Sequence, residues 1–392
     1  MWHSTRRGRS LIRKRYNTRK FRLNLVNICI ILASLSVILT CGVFVYNYTK
    51  QNFKANNNLN IENSPIIESN SKVEIYEEHS NEDEKEFSVA ILGELMMGGV
   101  IADNLNYNYM SAFKNIAEHT KRADYTILNL ATNIIDLEKI KDAKSKYIVT
   151  RNIENAFNAL GVDGINIAND HILDFGEKIF LDTKDTLKKD YDLIGLKDTI
   201  TYIEHDGIKV AVIGICNEVI GNQREYTDAG IMMYNLKKVK SMIKEAKQNA
   251  NTVVLLTHLG LENTHTVTSI MSWFYKELIT SGADIVLGSH ALGLYPVEIY
   301  KGKPIIYSMG YLMSDTNYLL GKETGIFTLE LDKSGKLQSL TITPMYINAK
   351  KQTLIYSEYN KDMNDKLLKY LTSKLDKESF QINNEKVKIH IN

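Results

Sequence analysis

Five short segments of this 392-residue chain carry the side chains that divalent metals and acid–base chemistry use: Gly93-Glu94-Leu95-Met96, Asn129-Leu130-Ala131-Thr132, Ala168-Asn169-Asp170-His171, Thr257-His258-Leu259-Gly260-Leu261-Glu262 and Gly288-Ser289-His290. Each places a carboxylate, amide or imidazole at or just past the end of an apolar, β-rich run. Glu94, Asp170, His171, His258 and His290, together with Asn129, Asn169 and Glu262, are side chains of the types that a divalent metal centre uses. Imidazole favours Zn, Mn or Fe, while carboxylate tolerates Mg or Mn. Three of the nine histidines sit at such exits. His3, His79, His119, His205, His265 and His390 fall in surface or tail positions, although His265 lies close enough to Glu262 to stay in reserve. Taken singly, the signals are weak. A histidine after a strand is more often a satisfied polar group, Asp170 could cap a helix, and Glu94 could be a solvated loop carboxylate. The constellation carries more weight than its members.

The elements that must position these groups alternate. Strands are expected at Phe87–Leu92, Tyr125–Leu130, Gly164–Ala168, Val210–Ile215, Thr252–Thr257, Ile285–Gly288 and Pro304–Met309. Helices are expected at Met110–His119, Ile153–Leu160, Ile179–Lys189, Leu236–Gln248 and Ser269–Ser281. Alternation of this kind predicts an α/β fold with helices covering sheets, and such folds build sites at the C-terminal ends of strands. Gly325–Leu331 and Leu337–Pro344 read as closing strands around a Ser334-Gly335 turn, followed by an amphipathic helix over Lys361–Leu375 and a charged end.

The order and wording of these segments resemble the bacterial capsule-synthesis CapA family, also called PgsA, whose members assist poly-gamma-glutamate biosynthesis. The resemblance runs over roughly residues 87–316. It includes Asp174-Phe175-Gly176 after His171, Ser281-Gly282-Ala283-Asp284 before the last histidine segment, and Tyr307-Ser308-Met309-Gly310-Tyr311. It implies a calcineurin-like metallophosphoesterase-type layered sandwich, with helices covering two sheets. It also implies a divalent metal held by Glu94, Asp170, His171, His258 and His290, with His171 and His258 as the catalytic candidates.

The sequence departs from that pattern at informative places. Glu94 stands for the family's Asp, Ala131 for a Glu, Asp170 for an Asn, Leu292 for a His and Tyr311 for an amide. Glu94 and Asp170 can still bind a cation, whereas Ala131 and Leu292 cannot. A dinuclear site without two of its ligands loses most of its hold on attacking and leaving oxygens. The expectation is therefore one weaker site for Mn, Zn, Fe or Mg, or none. The function implied is a component of capsule or poly-gamma-glutamate synthesis and export; the alternative is an extracytoplasmic metal-dependent hydrolase of the phosphoesterase type.

The first fifty residues set the expected location. Residues 1–22 hold nine Lys and Arg and no acidic side chain, and 23–47 are uncharged and dominated by Ile, Leu, Val and Ala. A hydrocarbon core needs about 20 such residues, and the basic flank predicts an N-terminus inside and the rest outside. A cleaved signal peptide, or a lipoprotein signal at Cys41, is the rival reading. Against it stand the length of the apolar stretch and the poor cleavage site at Thr40-Cys41-Gly42. Residues 48–86 read as an acidic disordered tether, 87–348 as the CapA-like metallophosphoesterase-related domain and 349–392 as a C-terminal extension. Subtracting the nine basic charges from the formal +2 of the chain leaves −7, which argues against nucleic acid as a partner. A local basic groove remains open. Only Cys216 lies beyond the span, so the domain forms no internal disulfide. The resemblance adds a membrane, a polymer ligase with its membrane subunits, and an anionic polymer as partners of a single-pass cell-membrane protein with an extracellular domain.

Overall fold

In strand Phe87–Leu95 every residue is buried, and successive side chains point to opposite faces. Val89 and Ile91 enter a core shared with Val212, Val254, Leu256 and Leu287. Ala90 and Leu92 enter a second one with Phe113, Phe157 and Phe180. A strand apolar on both faces has to be covered on both, and this requirement generates the layers. The structure is a computed structural model that describes residues 87–391 apart from 137–144, 146, 217–229, 260–265, 292, 316–319 and 384. The expected basic head, span and tether, together with Glu262, His265 and Leu292, lie outside the described residues. Among the described residues no helix is long and apolar enough to cross a membrane.

Two mixed sheets form the centre of an α/β fold. The ten-stranded sheet runs 380–382, 387–390, 337–347, 323–331, 87–95, 125–130, 164–166, 192–194, with 311–313 pairing beside 87–95 and 353–355 beside 337–347. Its half from 87–95 to 192–194 is parallel, and its other half is antiparallel. The six-stranded sheet runs 298–300, 303–306, 285–289, 252–258, 208–216, 201–205. Its four central strands are parallel. The inner faces share one apolar core. Helices Ile153–Leu160 and Glu177–Leu187 cover the outside of the first sheet, and Leu236–Asn249 and Ser269–Thr280 cover the second.

All seven expected strands and four of the five expected helices form, with ends shifted by at most a few residues. The exception is Met110–His119, which becomes a 3₁₀ turn at Tyr109–Ala112 and a short helix at Ala117–Thr120. Ala112, Phe113 and Ile116 are fully buried there, and their packing overrides local helix preference. The C-terminal residues, read from sequence as a helix and a charged end, also supply strands Phe380–Ile382 and Val387–His390 to the first sheet.

One irregularity aims a functional side chain. Between 87–95 and 125–130, Leu92 pairs with Leu128 but Glu94 with Asn129, so Gly93 is an extra residue in its strand. Such a bulge bends the strand and re-aims the side chains beyond it. Gly93 also packs tightly, since a Cβ there would lie 2.5 Å from the Gly310 carbonyl oxygen and 2.7 Å from Thr324 Oγ1. Replacing Gly93 with Ala is therefore expected to destabilise the domain by about 2 kcal/mol, read as a lower midpoint in urea unfolding.

Candidate metal centre

Three asparagines tie the first sheet together beneath the site. Asn129 donates from Nδ2 to the Leu92 carbonyl (2.7 Å) and accepts from Asn166 Nδ2 (2.7 Å). Asn166 Oδ1 takes the Ala168 N–H (3.2 Å), and Asn169 Nδ2 donates to the Leu130 carbonyl (2.7 Å). Asn169 Oδ1 accepts the His171 N–H (3.0 Å), which fixes the turn that carries Asp170 and His171. The second sheet supplies the other candidate ligands directly. His258 ends its strand opposite Ser289, and His290 comes directly after Ser289 with a positive φ of 84°. A non-glycine residue held there stores backbone strain, a feature that clusters at functional sites.

Glu94, Asp170, His258 and His290 converge in the interior. His258 Nε2 lies 2.8 Å from Asp170 Oδ1. An ionised carboxylate only accepts, so Nε2 carries a proton, and Nδ1 lies 3.0 Å from the Ser289 hydroxyl. Glu94 Oε2 is 3.5 Å from His258 Nδ1 and accepts the His290 N–H at 3.3 Å. His290 Nδ1 stands 3.8 Å from Asp170 Oδ2, which is buried without a hydrogen-bond partner among the described residues. Asp170, His258 and His290 present one ligand atom each within 4.8 Å of one another, all buried. An orphaned carboxylate oxygen facing the His290 imidazole, with His258 on the other oxygen, suits a divalent cation, and mixed N and O donors suit Mn, Zn or Fe.

His171 stands beside this group in a different role. Its Nδ1 donates to Asp174 Oδ2 at 2.9 Å, its ring stacks on Tyr147 at 3.6 Å, and its Nε2 lies 3.5 Å from Asp170 Oδ1. The carboxylate fixes the tautomer and the tyrosine fixes the ring plane, an arrangement suited to presenting a proton.

Burial sets the protonation of the cluster. Desolvation raises the Glu94 pKa against the pull of His258. Desolvation would also raise Asp170, but the hydrogen bond and charge of His258, with His171 and His290 beyond, bring it down to about 2. Burial and the neighbouring His258 push His290 down to about 4.

Of the sequence candidates, Glu94, Asp170, His258 and His290 meet around one point, and His171 adjoins them. Both ends of the Asn129 and Asn169 amides are taken up by the backbone and by Asn166. Glu262 is outside the described residues. Ala131 is buried, its N–H given to the Leu95 carbonyl (3.1 Å), and it brings no donor atom. Tyr311 pairs beside Glu94. Sequence reasoning missed Asn166, hidden in the apolar run Ile165-Asn166-Ile167, and Tyr147, which no local pattern marks.

Residues 88–316 match the family described as bacterial capsule synthesis protein PGA_cap. The capsule biosynthesis protein CapA of Bacillus anthracis is 27% identical over 290 residues, 68% of this chain and 68% of that protein. The PGA biosynthesis protein CapA of Bacillus subtilis (strain 168) is 24% identical over 299 residues, 71% of this chain and 78% of that protein. Among solved structures, the sulfate thiohydrolase SoxB of Thermus thermophilus aligns at a TM-score of 0.44 with 13% identity, over 75% of this chain and 61% of that one.

Asp170→Asn keeps the shape and removes the charge that faces both imidazoles. Loss of even an outer hydrogen-bond partner of a metal ligand costs about 10–100-fold in affinity, so this change is expected to weaken Mn or Zn binding by about 100-fold or more in calorimetric titration. Acid has a second, separable effect. The folded pKa of His290 lies below its unfolded value, so the unfolded chain binds more protons between pH 6.5 and about 4, and stability falls as pH drops through that window. The full loss is at most about 3 kcal/mol. Asp170 adds a loss below pH 3.8 as the pH approaches 2, while Glu94, with its raised pKa, acts in the opposite sense above pH 4.5. Urea unfolding at about pH 6.5 and about pH 4.5 should show a smaller drop for His290→Asn than for the unaltered chain.

Proposed function

We propose that this chain, which belongs to the bacterial capsule synthesis protein family, is a membrane-anchored, extracytoplasmic component of capsule or poly-gamma-glutamate synthesis and export. In this reading its calcineurin-like, metallophosphoesterase-type scaffold holds a single divalent cation. The observation that carries the proposal is the match over residues 88–316, which contains Glu94, Asp170, His258 and His290. The names of the relatives, capsule biosynthesis and PGA biosynthesis proteins, point to the same process. The nine basic residues before the uncharged stretch 23–47 support an N-terminus inside and a domain outside.

Asp170, His258 and His290 would hold the cation, with Glu94 beside them. A cation there supplies positive charge and Lewis acidity at one point. Ala131 contributes no oxygen where a second ion of a pair would need one, and a single ion lacks the symmetric hold of a two-metal site on both oxygens of a displacement. The residues are better suited to fixing an anionic group of a growing or exported polymer than to cutting it.

A second reading, an extracytoplasmic metal-dependent hydrolase of phosphoester-like bonds, is favoured by one observation. Asp174 and Tyr147 fix His171 at hydrogen-bonding and stacking distance, as they would a general acid. Here Asp170 and His258 would keep metal and His171 in register, and His171 would pass a proton to the leaving oxygen.

Deletion of the gene in the source organism, with complementation, separates the two. The assembly reading expects cell-surface polymer to be lost on deletion and restored by the full chain. His171→Ala should restore most of it, and protease added to intact protoplasts should degrade the domain beyond residue 87. Mn- or Zn-dependent phosphoester hydrolysis by the purified chain, abolished in His171→Ala and His258→Ala alike, would replace assembly with hydrolysis. Polymer unchanged by deletion would sink the assembly reading outright.

A further inference from the structure

The side chains around helix Ser269–Thr280 form a second feature that the metal centre does not use. Described large apolar side chains are seldom exposed in this domain, yet this helix presents Ile270 at 80% and Trp273 at 55% exposure. Trp273 borders a cleft of about 740 Å³ that is also lined by Ser269, Ser272, Lys276, Glu298 and Lys374. Glu298 is neutralised in place, accepting from Lys276 Nζ at 2.7 Å and from the Tyr307 hydroxyl at 2.8 Å. Both interactions hold its pKa down against burial. Among the described residues, Lys374 then leaves the cleft with one net positive charge, on a chain whose portion beyond residue 22 carries −7.

We propose that this cleft binds an anionic linear polymer bearing carboxylates on short apolar spacers. Lys374 and the outer face of Lys276 take the carboxylates, the indole of Trp273 covers the methylene spacers, and the hydroxyls of Ser269 and Ser272 complete the polar wall. An ammonium beside an aromatic face is a combination that recognises such mixed chains, because it offers charge and dry contact area together. A lipid surface would also offer anions and apolar matter, but it is broad, whereas these groups line a concavity. Only the identity of the polymer rests on the function proposed above; the chemistry of the cleft stands on its own residues. The cleft is also wired to the metal centre. The Tyr307 hydroxyl meets Ser272 Oγ (3.3 Å), the Tyr307 carbonyl accepts from the Tyr275 hydroxyl (3.4 Å), and Thr257 Oγ1 donates to that hydroxyl (2.8 Å) one residue before His258. Hydrogen bonds thus run from the cleft wall to the strand that ends in His258.

The chain has two tryptophans, so Trp2→Phe in the full-length protein makes Trp273 the sole indole reporter. Titration with poly-L-glutamate should change its emission saturably, and added salt should weaken the response. Lys374→Glu in the same background should lower the affinity about tenfold with an unchanged circular dichroism spectrum. Dextran, which is neutral, should leave the emission unchanged. No response to polyglutamate, an equal response to dextran, or equal affinity in Lys374→Glu overturns the proposal. A response to phosphatidylglycerol vesicles alone also overturns it and assigns the cleft to a lipid surface. If the cleft fails while gene deletion still abolishes the polymer, the assembly role survives and the cleft assignment does not. If the cleft binds polyglutamate while deletion leaves the polymer intact, the reverse holds.

Discussion

A buried carboxylate shared between imidazoles governs this domain. Asp170 is fully buried, bonded through Oδ1 to His258 and facing His290 with an oxygen that none of the described residues satisfies. Removing such a charge from water costs several kcal/mol, and a carboxylate left alone would neutralise instead. The histidines keep it ionised. In turn the two sheets must meet with their strand ends aligned, because Asp170 comes from one and His258 and His290 from the other. The asparagine ladder and the Gly93 bulge are the local devices that bring Asp170 and Glu94 to that line.

Much of this was legible in the sequence. Apolar runs of strand length alternating with amphipathic helices give the α/β class directly, and the habit of such folds to place chemistry at strand exits picked out four residues that do converge. The two sheets themselves were not legible from periodicity, since strands buried on both faces read alike whichever sheet they join; that expectation came from the family resemblance. The bulge was invisible because an extra residue in a strand is defined by the partner strand, here through the pairing of Glu94 with the distant Asn129. Asn166 was hidden because its neighbours are apolar, so that it read as core. The 110–119 segment failed as a helix because burial of Phe113 and Ile116 outweighed local preference.

The substitutions at the centre have unequal physical weight. Glu94 for Asp adds a methylene, and the bulge gives that longer side chain its direction. Ala131 is different in kind, because its methyl group sits within the core of the first sheet and the space is filled with apolar neighbours. Restoring a carboxylate there would bury a charge among them. The packing around Ala131 therefore suits an apolar side chain, and the donors of the site come from the other sheet exits.

The separation of the ligands along the chain bears on the order of events during biosynthesis. Glu94 and His290 are 196 positions apart, and Asp170 and His258 are 88 apart. No fragment ending before residue 290 contains the whole cluster, and neither sheet alone brings Asp170 against His258 or His290. The complete ligand set thus does not exist until nearly three quarters of the polypeptide has been made and its halves have docked. An ion held by this set would be acquired late, on a finished domain, and a truncated or misassembled copy would compete poorly for scarce metal.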